Sequence, residues 1–180
     1  MPSPIGHGLG ALAAGWAVAG RPHDRISFLK QSAILAAVGI APDLDLLIGR
    51  HSMETHSVGA AVIVATIAAL LRWPVASSRS RIWIAVALAY LSHPLLDALG
   101  SDTSVPIGVM CFWPFTREHF QTSLEVFGAI SRRYWRDDFW GLNMYSIAKE
   151  VLVLLPITAL VGLVTFRATS PVSKGHTARR

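Results

Sequence analysis

Five apolar segments alternate with polar turns along the chain, at roughly 5–20, 28–48, 57–71, 82–99 and 147–166. Each holds about 15 to 18 strongly apolar residues, or about 25 Å of helix, slightly less than the roughly 30 Å hydrocarbon core of a bilayer. The pattern predicts an all-α bundle of about five helices in a single domain, 1–180. A soluble bundle with buried helices is the alternative that such short segments leave open.

Composition favours a membrane protein over a soluble one. Hydrophobic residues make up 52% of the chain and charged residues only 15%, against roughly 25% charged residues in an ordinary soluble domain. The mean hydropathy is +0.46. We therefore expect a polytopic membrane bundle. The first segment has no Lys or Arg ahead of it, so we expect a retained helix rather than a cleaved signal peptide.

Basic residues predict how the segments cross the membrane. If the five segments alternate, one side receives ten of the sixteen basic residues and a single acid, Asp24. The ten are Arg21, Arg25, Lys30, Arg72, Arg79, Arg81, Arg167, Lys174, Arg179 and Arg180. The positive-inside rule makes that side cytoplasmic, and the basic tail 168–180 is expected to lie near anionic lipid. A nucleic-acid arm is the alternative for the tail, although no nucleic-acid partner is expected.

The connection 100–146 differs from the other polar segments. It holds ten of the chain's sixteen aromatic residues and mixes them with charges, as in "SRRYWRDDFW". Such a mixture is typical of segments at a membrane interface. We expect the connection to lie at the non-cytoplasmic surface, where long connections are less bound by the charge rule.

Ionisable residues lie near the ends of the segments, and alternating topology puts them all on the non-cytoplasmic side. They are His7, Asp43, Asp45, His51, His56, His93, Asp97 and Glu150. Ionisable groups are costly in a membrane and are therefore expected to be functional. Cys111 is the only cysteine, which excludes a disulfide within the chain and a thiolate metal cluster. Any metal must be held by His, Asp and Glu.

Histidine spacing separates the strongest candidates from the weaker ones. His93 and Asp97 are four residues apart, which puts both on one face of an apolar helix. The alternative is a structural hydrogen-bonded pair between helices. His51 and His56 are five residues apart, which is not one helix face, so we do not expect adjacent ligands from one regular helix. His7 lies among glycines and could be a packed residue.

Structural alternatives also exist for the remaining polar residues. Asp43 follows Pro42 and could cap a helix, and Thr55 or Ser57 could cap the third segment. Glu150 could complement the N-terminal dipole of the last segment.

A mixed set of imidazoles and carboxylates favours zinc, with manganese or iron as possibilities. Such a metal lowers the pKa of a water and polarises a carbonyl or phosphoryl oxygen, which gives hydrolysis. The chain has no G-x-S-x-G elbow, phosphate-binding loop or dinucleotide fingerprint.

The order of the motifs resembles a known family. His7 is followed by "PDLD", "HSMETHS", "LSHPLLD" and "VPIGVMCFWPF", an order similar to that of the YdjM-like family of predicted inner-membrane metal-dependent hydrolases. The resemblance runs from His7 to Phe115 and more weakly to the last helix. Ser52 and Met53 stand where the family pattern has Arg and Gly. The positions that match it there are His51, Thr55, His56 and Ser57.

The family is in turn similar to zinc-dependent phospholipases C and single-strand nucleases. That similarity implies that His93 and Asp97 are metal ligands, together with His7, His56 and one of Asp43 or Asp45. The catalytic set so implied is His93, Asp97, His56 and Asp45. Residues expected to support the ligands or to contact substrate are His51, Glu54, Thr55, Ser57 and Glu150.

These expectations combine into one functional hypothesis. The chain is expected to be a multi-pass protein of the bacterial inner membrane in which a metal-activated water attacks a phosphoester or other ester, from a small molecule or a lipid, at the membrane surface. The alternatives are a transport or ion-binding protein, whose sites usually lie at the midplane, and a structural membrane protein.

Overall fold

The computed structural model describes residues 1–103 and 105–168, and all regular structure in these ranges is helical. The five α-helices are α1 (Pro4–Ala19), α2 (Arg25–Ile40), α3 (Val58–Leu70), α4 (Arg79–Ala98) and α5 (Phe139–Ala168). Two 3-10 helices, Ala41–Ile48 and Glu54–His56, lie between α2 and α3. The all-α prediction is confirmed for these residues, while the predicted basic tail beyond Ala168 lies outside them.

Side-chain caps explain where four of the helices begin. Ser3, Asp24, Ser57 and Ser78 accept hydrogen bonds from backbone amides of the first turns of α1, α2, α3 and α4. Such caps satisfy amides that have no partner inside the helix. The cap predicted for the third segment is therefore Ser57.

Two predicted segments begin earlier in the structure, and one of them changes from an α-helix to a 3-10 helix before its predicted end. The segment predicted at 28–48 begins earlier, at Arg25, and its α-helix ends at Ile40, where the chain continues as the first 3-10 helix. Pro42 lacks an amide hydrogen and disfavours a continuing α-helix. The last helix begins at Phe139 rather than 147, so the final residues of the predicted connection 100–146 are helical.

Small residues allow the helices to pack closely. α1 contacts α2, α4 and α5, and α4 also contacts α2 and α3. A Cβ atom on Gly39 of α2 would lie 2.2 Å from Ala11 Cβ and 2.9 Å from the His7 carbonyl oxygen of α1. Glycine is thus required for α1 and α2 to approach as they do.

Two stretches are long and apolar enough to cross a membrane, by length and composition. They are Arg25–Ile48, with 24 residues, and Phe139–Phe166, with 28. The second exposes large apolar side chains such as Leu152, Leu160 and Val164. Two segments could therefore span a membrane, while five crossings remain a prediction.

The connection between α4 and α5 folds over one end of the bundle. Carbonyl groups of Cys111 and Trp113 accept hydrogen bonds from the first amides of α3, Val58 and Gly59, both at 2.9 Å. The connection buries Val109, Met110 and Phe127 but exposes other aromatics such as Phe115 and Tyr134. It therefore covers the start of α3 and presents aromatic side chains outward.

Candidate metal centre

The covered end of the bundle is where most of the candidate residues meet. His7 lies near the start of α1, and His93 and Asp97 near the end of α4. Asp43 and Asp45 belong to the first 3-10 helix, and His56 ends the second. Helices that run in opposite directions thus deliver these side chains to one place.

An inner group consists of His7, His93 and Asp97, all of which are buried. His93 Nε2 lies 3.1 Å from Asp97 Oδ2, and His7 Nε2 lies 3.4 Å from Asp97 Oδ1. The two imidazole rings stack with centroids 3.6 Å apart. The carboxylate of Asp97 is therefore shared between two histidines.

An outer group consists of Asp43, His51 and His56. Asp43 Oδ1 lies 3.6 Å from His56 Nε2 and 3.9 Å from His51 Nδ1. The same oxygen lies 3.6 Å from His93 Nε2 of the inner group. Asp43 thus links the two groups.

Hydrogen bonds on the far side of two rings fix which nitrogen faces the centre. His93 Nδ1 donates to the Gly39 carbonyl oxygen at 2.6 Å, so the neutral ring has an unprotonated Nε2. His56 Nδ1 lies 3.0 Å from Thr55 Oγ1 and 3.4 Å from Asp45 Oδ2. Such partners behind a ring are typical of metal-binding histidines.

Asp45 lies behind His56 rather than beside the inner group. Its Oδ2 accepts a hydrogen bond from Thr55 Oγ1 at 2.7 Å, and its Oδ1 lies 3.6 Å from His51 Nδ1. The two carboxylates of "PDLD" therefore occupy different surroundings, with Asp43 between the groups and Asp45 at the outer edge.

Electrostatics sets the protonation of two groups outside the predicted spans. Burial by itself lowers the pKa of His56, but the carboxylates of Asp43 and Asp45 outweigh burial and raise the pKa to about 9 in the metal-free protein. Burial, with a contribution from Asp97, raises the pKa of the Cys111 thiol to about 11. That thiol is therefore protonated and unreactive near neutral pH.

Many polar atoms of this region are buried without a hydrogen-bond partner in the described part of the chain. Eight of them belong to six candidate residues. They are Nδ1 and Nε2 of His7, Oδ1 of Asp45, Nδ1 of His51, Nε2 of His56, Nε2 of His93 and both carboxylate oxygens of Asp97. An unsatisfied buried polar atom costs about 1–3 kcal/mol. Because these atoms are imidazole nitrogens and carboxylate oxygens, the residues fit a divalent metal ion.

Other candidate residues lie outside both groups. Glu54 pairs with Arg50 at 2.8 Å on the surface. Ser57 caps α3 and also donates to the Glu54 carbonyl oxygen. Neither side chain belongs to the two groups, whereas Thr55 contacts both Asp45 and His56.

Glu150 does not lie at the N-terminus of the last helix, where the sequence suggested that it could complement the helix dipole. The residue lies well inside α5, and its carboxylate accepts hydrogen bonds from the amide and the hydroxyl of Ser3, which caps α1. Its negative charge therefore faces the N-terminus of α1 rather than that of its own helix. The side chain is fully buried.

Three residues that contribute to the site carried little signal in the sequence. Gly39 provides the carbonyl group that orients His93. Tyr90 donates to the Thr55 carbonyl oxygen at 2.7 Å and so holds the second 3-10 helix against α4. Met1 places its sulfur 2.8 Å from His51 Nε2. Only the Tyr90 hydroxyl, on an apolar helix three residues before His93, could have indicated such a role.

The described residues define a class, namely a helical protein with two helices that could span a membrane and with clustered His and Asp groups that could hold a metal ion. Comparison with protein families gives the particular family. The model of the YdjM inner membrane protein family matches residues 1–171, so the chain belongs to that family. The resemblance drawn from the motifs is thereby confirmed, and an inner-membrane location is supported. No curated protein and no solved structure matches the chain.

Proposed function

We propose that this chain is a membrane-bound metal-dependent hydrolase. The inner group of His7, His93 and Asp97 would hold one divalent ion. The outer group of Asp43, His51 and His56 would hold a second ion or complete the site of the first. Zinc suits this donor set best, because imidazole and carboxylate together are its common ligands, with manganese or iron as alternatives.

The observation that carries the proposal is the convergence of buried polar atoms without partners. A pair that merely joins two helices would satisfy its own hydrogen bonds. Here Asp97 shares one carboxylate between His7 and His93, and both of its oxygens lack a hydrogen-bond partner among the described residues. Six candidate residues from three parts of the chain have such atoms, and bound cations would supply the missing partners.

A divalent ion in such a site supplies Lewis-acid chemistry, which activates water and polarises an ester oxygen. The residues around it prepare the ligands. Gly39 holds a proton on Nδ1 of His93, and Asp45 with Thr55 holds one on Nδ1 of His56. We therefore assign Asp43 as a ligand and Asp45 as a positioning residue.

The proposed substrate is a phosphoester or other ester at the membrane surface, either lipid or small molecule. The connection between α4 and α5 lies over the site and exposes Phe112, Phe115, Tyr134 and Trp135. Aromatic side chains favour the interface between headgroups and hydrocarbon. The proposal includes five membrane crossings, with the site on the non-cytoplasmic side.

Metal analysis of purified protein tests the centre. The variant His93→Ala, Asp97→Ala should lose bound zinc, because it removes two of the three inner ligands. A matched control is His23→Ala, Asp137→Ala, which removes the same residue types at exposed positions outside both groups. Equal metal content in wild type and the first variant, after adventitious ions are stripped, contradicts the proposal.

Folding and activity measurements separate a hydrolase from a structural protein. Under the proposal the double variant keeps its helical circular dichroism but no longer hydrolyses an ester. The assay compares a soluble phosphodiester, a soluble carboxylic ester and phospholipid vesicles, each with zinc and with a chelator. Unfolding of the variant, with no zinc-dependent hydrolysis of any substrate by the wild type, favours the structural alternative.

A further inference from the structure

The opposite end of the bundle contains a basic cavity of about 980 Å³. It lies between two turns, the one that joins α1 to α2 and the one that joins α3 to α4. Three cationic side chains line it, those of Arg21, Lys30 and Arg81, and none of its lining residues is an acid. Its electrostatic character is therefore that of a site for an anion.

Gln31 is a fully buried polar residue in the wall of this cavity. Its side-chain amide donates to the carbonyl oxygens of Gly20, at 2.9 Å, and Val75, at 2.7 Å. These two bonds tie the turns together and fix the orientation of the amide. Its Oε1 atom has no hydrogen-bond partner among the described residues. The cavity is thus lined by cationic side chains and by one buried hydrogen-bond acceptor, Gln31 Oε1, that has no donor among the described residues.

Arg81 is held in place at the same wall. Its guanidinium donates to the Val18 carbonyl oxygen through Nε at 3.2 Å and Nη2 at 3.0 Å. It lies over Gly20, where an added Cβ would be 3.1 Å from Nη2. Arg81 is therefore a fixed charge, whereas the side chains of Arg21 and Lys30 are exposed and make no hydrogen bond within residues 1–103 and 105–168.

An apolar groove adjoins the cavity and shares Arg21, Pro22, His23 and Phe166 with it. The groove has a volume of about 770 Å³ and lies along α1, α2 and α5. Its aromatic wall consists of Trp16, Phe28 and Phe166, with ring centroids 5.3–5.6 Å apart. Asp24 also lines the groove, but its carboxylate is engaged in capping α2.

We propose that the cavity and groove together bind one anionic glycerophospholipid whose headgroup carries hydroxyl groups, as in phosphatidylglycerol. The phosphodiester lies among Arg21, Lys30 and Arg81. A headgroup hydroxyl donates to Gln31 Oε1, and an acyl chain lies in the groove. The surrounding basic turns are those that the positive-inside rule places in the cytoplasm, where anionic lipids attract basic segments. This site is independent of the proposed hydrolase centre at the other end.

Binding of phosphatidylglycerol to the purified full-length protein tests the proposal by native mass spectrometry in detergent. Wild type should bind phosphatidylglycerol more tightly than phosphatidylcholine. Arg21→Gln, Lys30→Gln should weaken binding roughly tenfold or more, because two charge contacts are lost. The matched control is Arg132→Gln, Arg133→Gln, which removes the same charge from exposed positions in the connection. It should leave binding unchanged.

A second variant tests the acyl chain without changing charge. A Cβ on Gly162 would lie 3.4 Å from Trp16 Cζ3, in ordinary contact, so Gly162→Leu should fill the groove without disturbing the helices. We expect it to weaken phosphatidylglycerol binding, and we expect free glycerol phosphate in large excess not to displace the lipid. Unchanged binding by either variant, equal binding of phosphatidylcholine, or displacement by glycerol phosphate overturns the proposal.

Discussion

At the scale of single residues, Asp43 and Asp45 have similar sequence surroundings but different positions. Asp43 Oδ1 lies within 3.6 Å of ring nitrogens from both His56 and His93. Asp45 instead contacts Thr55 and the outer face of His56. The sequence left open which of the two is the ligand, and the side-chain geometry favours Asp43.

This difference predicts unequal effects of two matched substitutions. Asp45→Asn should weaken metal affinity by about 10–100-fold, as is usual for a residue that orients a ligand. Asp43→Asn should weaken it further, because it removes a ligand charge. Competition with a zinc chelator measures both. Glu54→Gln, which changes an acid outside the two groups, is the control, and equal losses from Asp43→Asn and Asp45→Asn contradict the assignment.

The proton on His56 predicts a pH dependence of the metal-free protein. The pKa of His56 is about 9 in the folded chain, against 6.5 for an unperturbed histidine. Because the pKa is higher in the folded state, protonation of His56 adds about 3 kcal/mol to the free energy of unfolding below pH 6.5. That contribution is lost as the pH rises through 9. With a chelator present, the thermal unfolding temperature should fall over this range.

The control for that experiment is His56→Gln. Its unfolding temperature should depend less on pH between 6.5 and 9, because the titrating group is absent. The same pH dependence in both proteins contradicts the assignment of the shift to His56. Added zinc should flatten the wild-type profile in the same window, because a metal ligand must be deprotonated.

At the scale of helices, the contact of α1 with α2 depends on Gly39. Gly39→Ala should destabilise the protein by about 1–3 kcal/mol through overpacking. It should also weaken metal binding, because the added Cβ would displace the backbone of His7 and the Gly39 carbonyl that orients His93. Gly141→Ala is the matched control, since a Cβ there meets nothing within 4 Å. Thermal unfolding measures the loss of stability, and zinc titration measures the loss of metal affinity. A Gly39→Ala variant with the unfolding temperature and zinc affinity of the wild type contradicts the prediction.

Helices and their order were predictable from the sequence because apolar periodicity and length determine them. The local geometry between α2 and α3 was not. His51 and His56 are five residues apart, a spacing that puts them on different faces of a regular helix. The structure brings both to Asp43 because Ser52 adopts a positive φ of 61° before the short 3-10 helix. Such a turn has no hydrophobic period to reveal it.

Tertiary contacts explain the other differences from the sequence-based predictions. The spacing of His93 and Asp97 was enough to predict that both lie on one helix face, and the family resemblance was needed to predict that they are ligands. The contact of Glu150 with Ser3 could not, because its partners are 147 residues apart in sequence. The start of α5 at Phe139 could not be predicted for a different reason. It falls in a stretch of aromatic and polar residues that contains no clear apolar run.

At the scale of the whole molecule, the proposed topology can be tested with single cysteines. In a Cys111→Ser background, Glu118→Cys lies on the surface of the connection and Ser77→Cys in the turn before α4. In intact cells a membrane-impermeant maleimide should label Glu118→Cys alone, and both should react after permeabilisation. Labelling of Ser77→Cys alone in intact cells places the site on the cytoplasmic side and contradicts the proposed orientation.

The bond between Glu150 and Ser3 also bears on the order of assembly. A ribosome adds roughly 5–20 residues per second, so the 147 residues between them take about 7 to 30 s to synthesise. All residues of the inner and outer groups precede α5 in the chain. The candidate ligand side chains are therefore synthesised before Glu150, whose carboxylate accepts hydrogen bonds from Ser3 at the start of α1. Packing of α5 against α1 is the step that completes this end of the molecule.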